Sequence, residues 1–149
     1  MNLKKLGLIL FVAAGIILFF LLWSDGSPIS QEVPRRTWEP KLDEQGPVSV
    51  EVAPEDLSPD AAVWKFKVTL NTHSVELDED MSASAILIDD AGRRLGALAW
   101  EGDPPGGHHR EGRLVFKSLT PFPSRLEVRI QNVGSIPLRI FEWKGGEFK

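Results

Sequence analysis

The stretch VWKFKVTL, Val63–Leu70, decides the fold. Trp64, Phe66, Val68 and Leu70 alternate with Lys65, Lys67 and Thr69, and a period of two marks an extended strand with one face buried and the other in water. A helix over the same residues would scatter its apolar side chains around the whole circumference. The same alternation recurs on both sides. Upstream, Val48, Val50 and Val52 alternate with Ser49 and Glu51. Downstream, SASAILIDD (82–90) reads as a strand ending in a turn at Asp89-Asp90-Ala91-Gly92, and RLGALAW (94–100) as the strand that returns from it in a hairpin. RLVFKSL (113–119), RLEVRIQNV (125–133) and PLRIFEWK (137–144) follow. In the second of these, Leu126, Val128 and Ile130 face one way while Arg125, Glu127, Arg129 and Gln131 face the other.

These runs make about seven strands in roughly 100 residues, separated by turn signals, with no long segment of helical period among them. The pattern predicts an all-β domain over residues 48–149, an antiparallel immunoglobulin-like β-sandwich of about seven strands. PEDLSPDAAV (54–63), between the first two strands, is expected to hold a short helical turn. The chain has no cysteine. The Cys–Trp–Cys arrangement of antibody domains is therefore absent and the expectation concerns architecture alone. The same fact excludes disulfides, thiolate zinc sites, iron–sulfur ligation, cysteine nucleophiles and lipidation of an N-terminal cysteine.

The N-terminal part follows a different pattern. MNLKK leads into an apolar run from Leu6 to Trp23 and a polar exit, SDGS. Eighteen residues at ~1.5 Å rise span roughly 27 Å, close to a bilayer's hydrocarbon core. A cleaved signal carries a shorter apolar stretch and small residues at the cut, and Ser24-Asp25-Gly26 is a poor match to them. Residues 1–23 are read as an N-terminal signal anchor, one transmembrane helix in contact with membrane lipid through residues 6–23. Lys4 and Lys5 favour a cytoplasmic N-terminus, which puts the rest of the chain outside the cytoplasm. Residues 24–47, with Pro28, Pro34, Pro40 and Pro47, read as a Pro- and charge-rich linker, from which Trp38 can reach back to the domain. The chain's net charge is −4, and Lys4 and Lys5 account for two of its 17 basic residues. The remainder carries 15 basic against 21 acidic side chains, a net of −6. Such a domain lacks the basic footprint that phosphate neutralisation requires, so nucleic acid is not an expected partner.

The candidate site lies in WEGDPPGGHHREGRL, Trp100–Leu114. All three histidines fall in connections: His73 after the strand ending at Leu70, His108 and His109 before the strand beginning near Arg113. In immunoglobulin-like order these are the second and fifth major strands, which pair antiparallel, so the three imidazoles gather at one edge. Imidazole suits zinc and copper, with Glu76, Asp78, Glu101, Asp103 and Glu111 nearby as carboxylates. Adjacent residues of an extended chain point to opposite sides, so the expected set is His73 with one of His108 and His109 and a carboxylate, Glu111 foremost. Met81 is a further soft ligand for copper(I). The alternative is a loop built for its own sake. Pro104 and Pro105 restrict φ, Gly106 and Gly107 admit positive φ, Asp103 can accept from turn N–H groups, and Arg110 can pair with Glu101 or Glu111. On that reading Trp100, Gly102, Asp103, Pro104, Pro105, Gly106, Gly107, Arg110 and Gly112 are structural, and no cofactor is required.

Other chemistry finds less support. Glu76-Leu77-Asp78-Glu79-Asp80 is acidic enough for calcium but lacks EF-hand spacing. No G-x-S-x-G elbow is present, and Gly106-Gly107 precedes a strand, not the helix N-terminus that a phosphate cradle needs. Trp64, Trp100 and Trp143 are expected in the core.

NTHSVELD together with ILIDDAGRRLGALAWEGDPPGGHHREGRLVF resembles a group of uncharacterised prokaryotic membrane-anchored β-domain proteins. Their shared elements map to Thr72, His73, Ser74 and Val75, to Trp100 and Gly102, and to Gly107, His108, His109 and Gly112. The similarity spans roughly Val48–Trp143. It implies a recurring loop architecture and no established activity. The expected function is a single-pass, membrane-anchored, extracytoplasmic binding or interaction module that is not an enzyme, with an envelope protein as a possible partner. The alternatives are an extracytoplasmic copper- or zinc-binding protein using His73 with His108 or His109, and a metal-dependent hydrolase with Glu111 as general base.

Overall fold

The computed structural model describes residues 38–145. The apolar run 6–23, read above as a membrane anchor, lies outside the described residues; among those described, no helix is long and apolar enough to cross a membrane. The described chain is all-β: β1 (Lys41–Asp43), β2 (Val48–Asp56), β3 (Val63–Thr72), the single helical turn α1 (Met81–Ser84), β4 (Ala85–Asp89), β5 (Arg94–Gly96), β6 (Ala99–Gly102), β7 (His109–Lys117), β8 (Arg125–Val133) and β9 (Ile136–Lys144). Two antiparallel sheets form, one in the order β1-β2-β3-β7-β6 and the other in the order β5-β4-β8-β9.

The deciding stretch behaves as its period requires. Trp64, Phe66, Val68 and Leu70 are fully buried while the residues between them are half-buried. They meet Leu87, Leu126, Val128, Ile130 and Phe141 of the other sheet in one core. The Phe66 ring lies 5.7 Å from Trp143 in the opposite sheet and 5.7 Å, edge-on, from Phe116 in its own. Burying each such side chain contributes about 1.5–3 kcal/mol. The indole N–H groups of Trp64 and Trp143 reach the carbonyls of Ser58 and Glu39, so the core tryptophans leave no unpaired donor. In β8, Leu126, Val128 and Ile130 face inward as expected.

Four boundaries differ from the sequence reading. Lys41–Asp43, within the stretch read as linker, pairs with Val50–Val52, and Trp38 packs on the core beside Phe122, so the sandwich begins ahead of Val48. The helical turn expected between β2 and β3 is absent from Pro54–Val63; β2 runs on to Asp56, and a turn closes Ser58–Ala61. The helical turn falls at Met81–Ser84 because Asp80 caps it, accepting from the N–H groups of Ser82 and Ala83. SASAILIDD is thus strand only from Ala85. RLGALAW is not one strand. Arg94–Gly96 pairs with β4 across the expected turn, where Gly92 takes φ +79°, and the chain then changes sheet. The Ala97 N–H still bonds Ala85, the Leu98 N–H bonds Val115, and Ala99–Gly102 pairs with β7.

Candidate functional site: the histidine-bearing edge

β3 and β7 pair with Asn71 opposite His109, and the Thr72 N–H bonds the His108 carbonyl at 3.0 Å. The end of one strand thus lies beside the start of the other, and His73 and His108 in the adjoining loops share one end of the sandwich with His109, which is the first residue of β7 and not, as expected, part of the connection. Trp38 and Glu39, where the described chain begins, pack against Phe122 and Trp143 at the other end of the strands. Strand parity then separates neighbouring side chains: His109 and Glu111 are exposed while Arg110 between them is buried. The His109 Nδ1 contacts Asn71 Oδ1 at 2.6 Å.

The Pro-Pro-Gly-Gly connection is held at both of its ends. Asp103 and Glu111 exchange bonds: the Asp103 N–H donates to the Glu111 carbonyl at 3.0 Å, and the Glu111 N–H to Asp103 Oδ2 at 2.8 Å. The Trp100 indole N–H donates to the Asp103 carbonyl at 2.8 Å. Pro104 and Pro105 supply no N–H. Gly106 and Gly107 take φ of +117° and +73°, which turns their backbone onto the segment after β3. There the Gly106 N–H bonds the Leu77 carbonyl, the Leu77 N–H bonds the Gly107 carbonyl, and Glu76 accepts from the Gly107 N–H at 3.3 Å.

Arg110 ties the two loops together. Its side chain is 1% exposed and donates to the carbonyls of Leu77 (2.9 Å), Glu79 (2.8 Å) and Asp103 (3.3 Å), with its guanidinium 5.6 Å from the Trp100 ring centre. The expected pairing with Glu101 or Glu111 is not what forms. Those carboxylates point to the outer face of the sheet, where they bind Lys65 and Lys67 at 2.8 and 3.0 Å, whereas Arg110 points inward. Trp100 packs against the backbone of Gly112, which in turn lies against Gly102. A Cβ on Gly112 would stand 2.5 Å from Trp100 Cζ2 and 2.8 Å from Gly102 Cα, and one on Gly102 would collide with the backbone of Glu111 and Gly112. The Trp-x-Gly and Gly-His-His-x-x-Gly elements are therefore one packing unit in which the indole lies on bare backbone.

Three residues of the acidic run serve local structure. Leu77 is fully buried, Glu79 accepts from the Gly134 N–H, and Asp80 caps α1. Bonds from the Ser82 hydroxyl and the Ala83 N–H, with the charge of Arg110 adding to them, hold the Asp80 carboxyl below its ordinary range. Among the described residues no group of three or more His, Asp or Glu side chains is placed to hold a metal ion. The expected set of His73, His108 or His109 and Glu111 is thus brought to one edge but not assembled. His109 bonds Asn71, and Glu76, Glu101, Asp103 and Glu111 are each engaged elsewhere. Met81 is in the core, 1% exposed, and unavailable as a ligand.

Sequence reasoning missed Arg110 as the clamp, although counting back by twos from Phe116 and Leu114 places it inward. What the edge offers chemically is a set of exposed imidazoles and carboxylates beside loops bonded to each other through Arg110 and the backbone. In comparisons with known proteins the chain matches no protein family, no curated protein and no solved structure.

Proposed function

We propose that this chain is a single-pass membrane protein whose β-domain lies outside the cytoplasm and acts by binding, through the histidine-bearing edge, not by catalysis. The observation that carries the proposal is the clamp. A buried guanidinium fixes two loops to each other at one end of a rigid scaffold, and His73, His108, Glu76 and Asp78 stand exposed on those loops. Recognition residues on loops positioned by a sandwich are the general arrangement of binding domains. The strand order β2-β3-β7-β6 against β5-β4-β8-β9 supports the immunoglobulin-like assignment, since it reproduces that connectivity with β1 added at one margin. The apolar run 6–23 and the lysines before it support the tether. Glu111, the residue that would serve as general base, is held by Lys67, which favours binding over hydrolysis. The partner we assign is another envelope protein.

Site-specific photocrosslinking in native membranes tests this reading. A photoreactive residue at position 73 or 108 is expected to form an adduct with another protein, and one at Thr69, on the outer face of the sheet, is not. Recovery of the monomer alone from all three positions, or equal adducts from all three, would overturn the assignment.

A further inference from the structure

The outer faces of the two sheets differ in character. On the sheet β1-β2-β3-β7-β6 the outward charges are matched across strands, Lys65 with Glu101, Lys67 with Glu111 and Arg113 with Glu55. On the sheet β5-β4-β8-β9 they are not. There Leu87, Leu126, Val128 and Phe141 point inward, and the alternate positions make the outer face. It carries four basic side chains, Arg94, Arg125, Arg129 and Lys144, against two carboxylates, Glu127 and Glu142, a net of +2 on a chain whose sequence after Lys5 carries −6. Glu127 is 5% exposed and lies between Arg125 and Arg129 along β8, and Arg94 forms no ion pair among the described residues. Two of the four exposed large apolar side chains among the described residues, Leu138 and Ile140, stand on this face. The register sets half-buried Ile86, Arg129 and Ile140 in one row across β4, β8 and β9.

The described chain begins at the margin of the same sheet. The Trp143 indole N–H of β9 bonds the Glu39 carbonyl, and Arg139 bonds Asp43. Only 14 residues, 24–37, separate the apolar run from Trp38, no more than roughly 50 Å of fully extended chain. We propose that the outer face of β5-β4-β8-β9 docks on the surface of an anionic bilayer, an inference that rests on the reading of residues 6–23 as a membrane anchor. Lys and Arg close to an anionic surface are drawn to its headgroups, while their aliphatic stems and the neighbouring Ile86, Leu138 and Ile140 meet the acyl boundary. The charge pattern favours this occupant over a second copy, because two such faces would oppose the same net charge. The strands then run along the membrane plane, and the histidine edge at the ends of β3 and β7 is directed along the surface toward neighbouring envelope proteins.

The chain has no cysteine, so a single introduced thiol reports a single position. Full-length Ile140→Cys carrying a polarity-sensitive dye is incorporated into phosphatidylcholine vesicles with or without phosphatidylglycerol. Glu51→Cys, between buried Val50 and Val52 on the outer face of the other sheet, serves as its control. Emission from position 140 is expected to shift to the blue only with phosphatidylglycerol and to return as salt is raised, while the control keeps its aqueous wavelength throughout. Arg94→Glu combined with Lys144→Glu leaves Arg125 and Arg129 beside Glu127, and is expected to abolish the shift with an unchanged far-ultraviolet spectrum. Equal shifts at positions 140 and 51, a shift indifferent to phosphatidylglycerol or to the charge reversal, or one that follows protein concentration as a second copy would require, would each overturn the proposal. Flotation separates it from the anchor. A chain that does not float with phosphatidylcholine vesicles refutes the anchor and the docking with it, whereas one that floats with position 140 aqueous in both compositions refutes the docking face alone.

Discussion

Arg139 of β9 closes on Asp43 of β1, a residue 96 positions earlier in the chain. Its side chain is wholly buried and donates also to the carbonyls of Gln45 (2.6 Å) and Val48 (2.9 Å), fastening the first strand and the turn after it to the far sheet. Removing one partner of a buried charge network costs far more than the net worth of the pair, about 3–5 kcal/mol, because the groups left behind lose their compensation. Arg139→Met is expected to destabilise the domain by that amount in urea unfolding followed by tryptophan fluorescence. Asp43→Asn keeps an acceptor oxygen and leaves the bonds to Gln45 and Val48 in place, so its cost is expected to be clearly smaller. Equal losses would mean that the ion pair, and not the carbonyl clamp, holds β1.

The same carboxylate sets part of the acid limit. Burial opposes ionisation of Asp43, but the Gln45 N–H, the Gln45 side-chain amide and the charge of Arg139 outweigh it and lower its pKa. A carboxyl whose folded pKa lies below its unfolded value of about 3.9 contributes stability that is complete above that value and is lost as pH falls toward the folded one. Asp89, buried against Arg93, follows the same direction for the same balance of causes. Unfolding free energy measured from pH 6 down to pH 2 is therefore expected to fall below about pH 4, and Asp43→Asn is expected to make that fall shallower. A variant whose acid limb superimposes on the parent's would remove Asp43 from the account.

Much of this architecture was readable from alternation, and the failures have a common cause. In β3 Trp64, Phe66, Val68 and Leu70 share one parity and in β8 Leu126, Val128 and Ile130 do, so the buried face is legible even though Val63 and Val133 at the strand ends fall on the other parity. In PLRIFEWK the apolar residues occupy both parities, and only the tertiary neighbours decide that Arg139 goes inward with Phe141 and Trp143 while Leu138 and Ile140 go outward. RLGALAW carries no charge or proline after Arg94 to mark the change of sheet at Ala97–Leu98; the break is set by Leu98 bonding Val115 instead of continuing along β4. Lys41–Asp43 is too short for a period to be visible. At the histidine edge, the pairing of β3 with β7 followed from strand order, but the fate of each carboxylate did not, because lysines and backbone N–H groups competed for them successfully.

Glycines 96 and 112 separate close packing from ordinary strand preference. A methyl group on Gly112 meets the Trp100 ring and the Gly102 backbone at distances no Cβ tolerates, whereas one on Gly96 meets nothing within 4 Å. Overpacking costs typically about 1–3 kcal/mol, while relieving the backbone entropy of a strand glycine gains about 0.5–1 kcal/mol. Gly112→Ala is expected to lower the unfolding midpoint and shift the emission of Trp100, and Gly96→Ala to leave stability equal or slightly higher. If both substitutions prove neutral, the indole does not rest on bare backbone.

The clamp at the histidine edge makes the most local prediction. Arg110 reaches three carbonyls with two guanidinium nitrogens, and hydrogen bonds from a charged donor contribute about 1.5–3 kcal/mol each. A lysine at the same position carries a single nitrogen and cannot span Leu77, Glu79 and Asp103 together. Arg110→Lys is expected to keep the sandwich folded but release the loops from each other. Amide hydrogen exchange reads this directly. Protection at Gly106 and Leu77, whose N–H groups bond across the two loops, should fall tenfold or more, while Val68 and Val128 in the core keep theirs. Uniform loss of protection would indicate that Arg110 supports the whole core, and unchanged protection that Gly106, Gly107 and Leu77 hold the edge without it. Only the selective pattern fits an arginine whose role is to keep exposed histidines in place.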